Sequence, residues 1–150
     1  MSNTFLAALL ITFFQIPSMF SQPGSKTTLE IHFSGLRTSE GKIAIGVNTR
    51  EEGWPREPQM SYDWEKEVHD GMMKVRIPDL PYGTYAISVL DDVNRNVEMD
   101  MFLGIPKEGW GFSMNPGFKL SAPRFEECAF KLDKPYQLIV IEMRYAGKGK

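Results

Sequence analysis

The sequence predicts an all-β fold, an antiparallel sandwich with long loops, and three observations predict it. Short stretches alternate apolar and polar residues with a period of two, the pattern of a strand with one face buried. Gly- and Pro-rich segments separate those stretches. No stretch sustains a helical period, and no internal repeat appears. Six clear strands and one ambiguous one make seven, the number and spacing expected of a sandwich.

The first strand is set by Leu29, Ile31 and Phe33, which alternate with Glu30, His32 and Ser34. His32 therefore falls on the water-facing side. Gly35 and Ser39-Glu40-Gly41 mark a turn, and Ile43, Ile45 and Val47 resume the alternation, so the two strands are expected to pair as a hairpin. Residues 50–71 break the pattern. Pro55 and Pro58 rule out a central strand, because proline lacks the donor a ladder needs. Tyr62 to Val68 reads either as a short helix or as an edge strand, and Trp54, Tyr62 and Trp64 are expected to cover an open end of the core.

Met73, Val75 and Ile77 form the next strand. Pro78-Asp79-Leu80-Pro81-Tyr82-Gly83 makes a turn, and Tyr85, Ile87 and Val89 alternate with Thr84, Ala86 and Ser88 in the best strand of the chain. Continued alternation puts Asp91 on the Tyr85 face and Asp92 on the other. Residues 101–124, rich in Gly, Pro and aromatics, read as a long irregular segment of the kind that often carries function. Cys128 to Leu132 is a further strand, with Cys128 as a buried thiol. Tyr136 to Tyr145 is the last, and its apolar residues on both faces predict a central position.

Chain ends and composition bound the function. Phe5 to Ile16 is an apolar run closed by Pro17, too short for a membrane span, which needs about 18 apolar residues. It fits the core of a secretory signal peptide cut after Ser21. The expected organisation is a signal peptide over 1–21, a linker over 22–28, a β-sandwich over 29–145 and a tail over 146–150. The mature chain would then carry no transmembrane segment and would be secreted or periplasmic. One cysteine in 150 residues permits no internal disulfide, but a domain of this size buries enough surface without one. A net charge of −2, with no basic patch, argues against nucleic acid as a partner.

Candidate chemistry gathers after the best strand. Asp92, Asn94 and Asn96 occupy positions one, three and five of a calcium loop, with Glu98 at seven and Asp100 at nine. Ca²⁺ takes six to eight oxygen ligands, so alternating carboxylates and amides suit it. Two positions depart from the pattern. Position six, where a sharp turn favours Gly, is the β-branched Val97. Position twelve, where a bidentate carboxylate belongs, is Leu103, unless Glu108 folds back to replace it. The competing reading is an Asx-rich turn in which the same side chains bond their own backbone without metal.

An enzymatic reading uses the same region. Two of Asp91, Asp92, Asp100 and Glu108 would act as an acid–base pair on a glycoside, while Trp110 and Phe112 would stack on a sugar. The plainer role for Gly109-Trp110-Gly111-Phe112 is packing. No G-x-S-x-G elbow, H-E-x-x-H pair or Walker loop is present.

Leu80-Pro81-Tyr82-Gly83-Thr84-Tyr85 resembles the L-P-x-G-x-Y turn and strand of prealbumin-like sandwiches, which include carboxypeptidase regulatory domains and Cna-B-type modules. Three further stretches are more specific: Asp92-x-Asn94-x-Asn96-x-x-x-Asp100, then LGIPKEGWGFS from Leu103, then PRFEECAF from Pro123. Together they resemble the small secreted bacterial family of domain of unknown function 2141, over roughly Leu29 to Tyr145. Relatives often carry Gly where Val97 stands and His where Asp91 stands. The resemblance implies a seven-stranded, prealbumin-like Greek-key sandwich and export, with no established activity. A transthyretin-like hydrolase shares the sandwich class, but its site would be His-rich, and His32 and His69 do not supply one. The expectation is an exported binding or structural module with an envelope glycan or protein as partner and a Ca²⁺-type loop over 91–100; the alternative is a carboxylate-based hydrolase.

Overall fold

A computed structural model of the chain describes residues 24–117 and 121–146. The expected signal peptide and the tail beyond Ala146 lie outside the described residues. Strands β1 (Lys26–Ser34), β4 (Met73–Pro81) and β10 (Tyr136–Glu142) form one sheet in the order β10-β1-β4. Strands β2 (Lys42–Asn48), β3 (Met60–Glu65), β5 (Gly83–Asp92) and β8 (Gly109–Phe112) form the second, in the order β3-β2-β5-β8, and β9 (Phe130–Leu132) also pairs with β5. Two very short strands, β6 (Met101–Phe102) and β7 (Ile105–Pro106), make a separate hairpin.

The two sheets enclose one core, and the period-two pattern supplies it. Leu29, Ile31 and Phe33 from β1, Val75 and Ile77 from β4 and Ile141 from β10 meet Ile43, Ile45 and Val47 from β2 and Tyr85, Ile87 and Val89 from β5. Burying each large aliphatic or aromatic side chain contributes about 1.5–3 kcal/mol, which holds the layers together without a disulfide. Tyr62 and Trp64 stack at 5.8 Å and pack against the core edge from β3. Trp54 lies elsewhere, against Phe112 and Phe125, with its indole N–H donating to the Pro123 carbonyl.

Several sequence expectations are corrected. β1 and β2 do not form a hairpin; they lie in different sheets, because each pairs with a partner distant in sequence. The architecture is not wholly antiparallel, since β1 and β10 run parallel from Thr28–Tyr136 to Ser34–Glu142. β10 is an edge strand rather than a central one. Its Leu138 and Val140 face outward at 44% and 46% exposure, so apolar residues on both faces did not mean burial on both. β1 starts at Lys26, inside the segment assigned to the linker. The ambiguous segment is the edge strand β3 as far as Glu65; residues 66–68 lie beyond it.

The segment 101–124 is not irregular throughout, since it contains β6, β7 and β8. Cys128 closes a single helical turn, α1 (Phe125–Cys128), instead of opening a strand. Glu127 reaches back to accept from the Arg124 N–H at 2.8 Å, which favours that turn. Cys128 is fully buried. His32 sits on the outer face, with Nε2 2.6 Å from the Glu30 carboxylate.

Beyond β10 the chain joins the two sheets. Met143 N–H donates to the Ser34 carbonyl on one sheet, and Arg144 exchanges both backbone hydrogen bonds with Trp110 on the other. Tyr145 is thereby delivered to the end of the sandwich where β5 finishes.

Candidate functional site

The site is built on the end of β5. Asp91 pairs with Ile43 of β2 and Gly109 of β8, and Ile43 in turn pairs with Trp64 of β3. That row points into the core, so Asp91 is fully buried. Its two oxygens have separate partners: Lys66 Nζ at Oδ1 and the Tyr145 hydroxyl at Oδ2, each at 2.5 Å. The Lys66 side chain is as buried as the carboxylate it meets. The Arg37 guanidinium lies 4.3 Å from the Tyr145 ring centroid. Burial pushes the Tyr145 hydroxyl well above its usual range, and its bond to Asp91 pushes it the same way. A Cβ at Gly109 would run into the Tyr145 ring, so this glycine makes room for the cluster.

Asp92 faces the other way and is also fully buried. Its Oδ1 accepts from Asn96 N–H and its Oδ2 from Val97 N–H, each at 3.0 Å. The loop then closes on itself. Asn94 Oδ1 accepts from Asn96 N–H at 3.2 Å, and Asn96 Oδ1 accepts from Glu98 N–H at 2.8 Å. The side-chain amides of Asn94 and Asn96 donate to the two oxygens of Asp100, at 2.9 and 3.2 Å. Glu108 does fold back: Oε1 accepts from Val93 N–H at 3.1 Å and Oε2 from Asp100 N–H at 3.4 Å, and only 6% of it remains exposed. Arg95 makes a bidentate pair with Glu65, tying the loop to the edge of β3.

Val97 adopts φ 61°, the left-handed conformation that β-branched residues disfavour and that the sixth position of the loop demands. The hydrogen bond from its own N–H to Asp92 holds it there.

The structure thus brings Asp92, Asn94, Asn96, Asp100 and Glu108 into one hydrogen-bonded loop and sends Asp91 to the opposite face. Trp110 and Phe112 are not part of that loop. They lie on β8, with Trp110 beside Arg144 and Phe112 5.7 Å from Trp54. Gly111 between them faces the core, where a Cβ would crowd Ile141. Among the described residues, no three His, Cys, Asp or Glu side chains form a group able to hold a metal ion. A cation in the loop would therefore rely on the Asn94 and Asn96 amide oxygens beside the carboxylates.

Sequence reasoning missed Lys66, Tyr145 and Arg37. Lys66 had a signal: it shares parity with Tyr62 and Trp64, the inward side of β3, just as Asp91 shares parity with Tyr85, Ile87 and Val89. Opposite charges at the inward ends of two strands are candidates for a buried pair. Tyr145 and Arg37 had no comparable signal, because the contact depends on how the chain crosses between sheets.

Among the described residues, fold and site together define an all-β, two-sheet module with an elaborated loop end and nearly no helix. No helix among the described residues is long and apolar enough to cross a membrane. Residues 31–139 match the family described as an uncharacterised protein conserved in bacteria, domain of unknown function 2141 (DUF2141), and the chain belongs to that family. Neither the curated proteins nor the solved structures gave a match.

Proposed function

We propose that the chain is an exported binding module of the bacterial cell envelope, of prealbumin-like Greek-key type, whose working end is the 91–108 region and whose loop takes Ca²⁺. The fold reading is supported by the way successive strands change sheets, β1 to β2, β3 to β4, and β4 to β5. It is supported too by β8 and β9 sharing one partner, β5, at different ends. Counted as one interrupted strand, they leave seven strand positions in the two sheets among the described residues. Export rests on the apolar run from Phe5 to Ile16.

The observation that carries the Ca²⁺ reading is Val97 at φ 61°, pinned by Asp92. Backbone strain of this kind is kept where surrounding structure enforces it, and it clusters at binding sites. It supplies the sharp turn that the sequence pattern lacked at position six. Asp92, Asn94, Asn96 and Asp100 would be the ligands, and the fold-back of Glu108 brings a further carboxylate to the loop's base. A bound cation would replace the amide N–H groups that now face Asp100, so the Asn94 and Asn96 side chains would turn their oxygens inward.

Calorimetric titration with CaCl₂ tests the reading. Saturable heat in the wild type, lost in Asp100→Ala, supports it; absence of heat in the wild type overturns it. The carboxylate-based hydrolase reading has less support, since Asp91 is sealed against Lys66 and Asp92 is held by backbone donors. An envelope glycan or protein remains the class of partner this working end would serve.

A further inference from the structure

The β6–β7 hairpin stands out from the acidic loop as a finger with apolar side chains all round it. Phe102 and Ile105 are cross-strand partners on one face, at 65% and 53% exposure; Met101, paired with Pro106 on the other face, is at 54%. Leu103, at the tip, is at 87%. Val97, on the neighbouring loop, adds a fifth large apolar side chain at 67%. Leu103 and Gly104 make the turn with φ 49° and 80°, the positive pair of a type I′ hairpin. Asn or Asp usually fills the first of these positions. Here a leucine takes a strained conformation and is thrust into solvent, a costly arrangement for a segment with no apolar surroundings to enter.

The finger is firmly rooted. Lys107 N–H donates to the Asp100 carbonyl at 2.8 Å, and the buried Glu108 carboxylate accepts from Val93 and Asp100. Insertion would need little further ordering, which keeps the cost of binding low.

We infer that this hairpin inserts into the interface of a zwitterionic lipid bilayer. Two features point to lipid. A flat protein partner covers one face of a hairpin, whereas this one is apolar on both faces and at its tip, which suits a medium that surrounds it. Charge complementarity gives the second. Lys107 directly follows β7 and Glu98 lies three residues before β6; both are exposed, and neither has an ion-pair partner among the described residues. One carboxylate and one ammonium flanking the hairpin in the chain complement the ammonium and phosphate of a zwitterionic headgroup. The depth agrees: two residues per strand and a turn reach about 7–10 Å, and interfacial anchors sink about 5–10 Å.

The test uses the full chain with vesicles of phosphatidylethanolamine and phosphatidylcholine, in EDTA so that failure of the Ca²⁺ reading cannot affect it. An environment-sensitive fluorophore is attached to Leu103→Cys, and separately to Leu138→Cys on β10, which is also apolar and exposed; buried Cys128 is shielded from labelling. The label at 103 is expected to shift to the blue and to be quenched by doxyl-labelled lipid, while the label at 138 is not. Adding Phe102→Ser and Ile105→Ser should weaken the vesicle response of the 103 label at least tenfold. Equal quenching at both positions, or no response at 103, overturns the inference. A blue shift at 103 that appears without vesicles and grows with protein concentration also overturns it, because the occupant is then a second copy of the chain.

Discussion

Asp91 and Asp92 are adjacent, chemically identical and both fully buried, yet they organise two different regions of the molecule. Asp91 points between the sheets and meets a buried ammonium and a phenol. Asp92 points into a loop and meets only backbone N–H groups. The cause is the alternation of a strand, which sends neighbours to opposite faces. The consequence is a division of roles. One carboxylate fastens β3, β5 and the C-terminal crossing to each other; the other shapes a turn. Removing either should damage a different property.

The largest expected effect is on the Asp91 side. Lys66→Met leaves the Asp91 charge buried without its cation, which costs about 3–5 kcal/mol. Urea denaturation should show that loss, and adding Asp91→Leu should return most of it, because an apolar pair of similar volume avoids the desolvation of two charges. A loss persisting in the double variant would mean the side chains matter for packing rather than charge. The same region should give an alkaline signature. Tyr145 keeps its proton in the folded chain well above 10, the value at which the unfolded chain releases it. Its contribution is therefore fully present below pH 10 and declines as pH rises beyond it. Tyr145→Phe should flatten that decline, measured as urea midpoints across pH 9 to 11.

A smaller effect is expected where glycine makes room for this cluster. Gly109→Ala drives a methyl into the Tyr145 ring, which Asp91 and Arg37 hold in place. Overpacking of that sort costs about 1–3 kcal/mol, and Tyr145→Ala in the same chain should relieve part of it. On the other side, Asp92→Ala removes the acceptor of two backbone N–H groups. The loop around them is largely exposed and water can replace the acceptor in part, so the cost should fall near 1–2 kcal/mol. Amide hydrogen exchange at Asn96 and Val97 should accelerate at least tenfold, while the core strands keep their protection. Acceleration throughout the sheets would show that Asp92 holds more than its loop.

What the sequence made legible follows the same division. The parity of β1, β2, β4 and β5 was readable, because one buried face leaves a period of two, and that parity correctly separated Asp91 from Asp92. The polar loop from Asp92 to Asp100 was readable as Asx-rich from its residue types. Pairing was not. Whether Ile31 lies beside Ile139 or Ile43 depends on contacts far apart in the chain, and local pattern carries no such information. β10 was misplaced because Leu138 and Val140, apolar but outward, mimic a strand covered on both sides. For the same reason the sequence offers the fold-back of Glu108 only as an option, and gives no sign of the arrival of Tyr145. Val97 differs in the opposite sense: its intrinsic preference argues against a left-handed turn, yet it adopts one while its N–H bonds Asp92, five residues earlier in the same loop.

That conformation gives the smallest and most discriminating prediction. Left-handed backbone costs a residue with a side chain about 1–2 kcal/mol, and the flexibility of glycine in the unfolded chain returns about 0.5–1 kcal/mol of any gain. Val97→Gly should therefore stabilise the fold by up to about 1 kcal/mol, although it deletes a side chain. Val97 is 67% exposed, so little packing is lost with it. If Asp92 is what forces the conformation, the gain should shrink in the Asp92→Ala background, where the loop is free to relax, and a double-mutant cycle reads that coupling directly. An equal gain in both backgrounds would show that Val97 is strained by its neighbours in the chain and not by the carboxylate. The Asp92 region would then be a turn fixed by local sequence, unlike the Asp91 region, which is fixed by the meeting of two sheets.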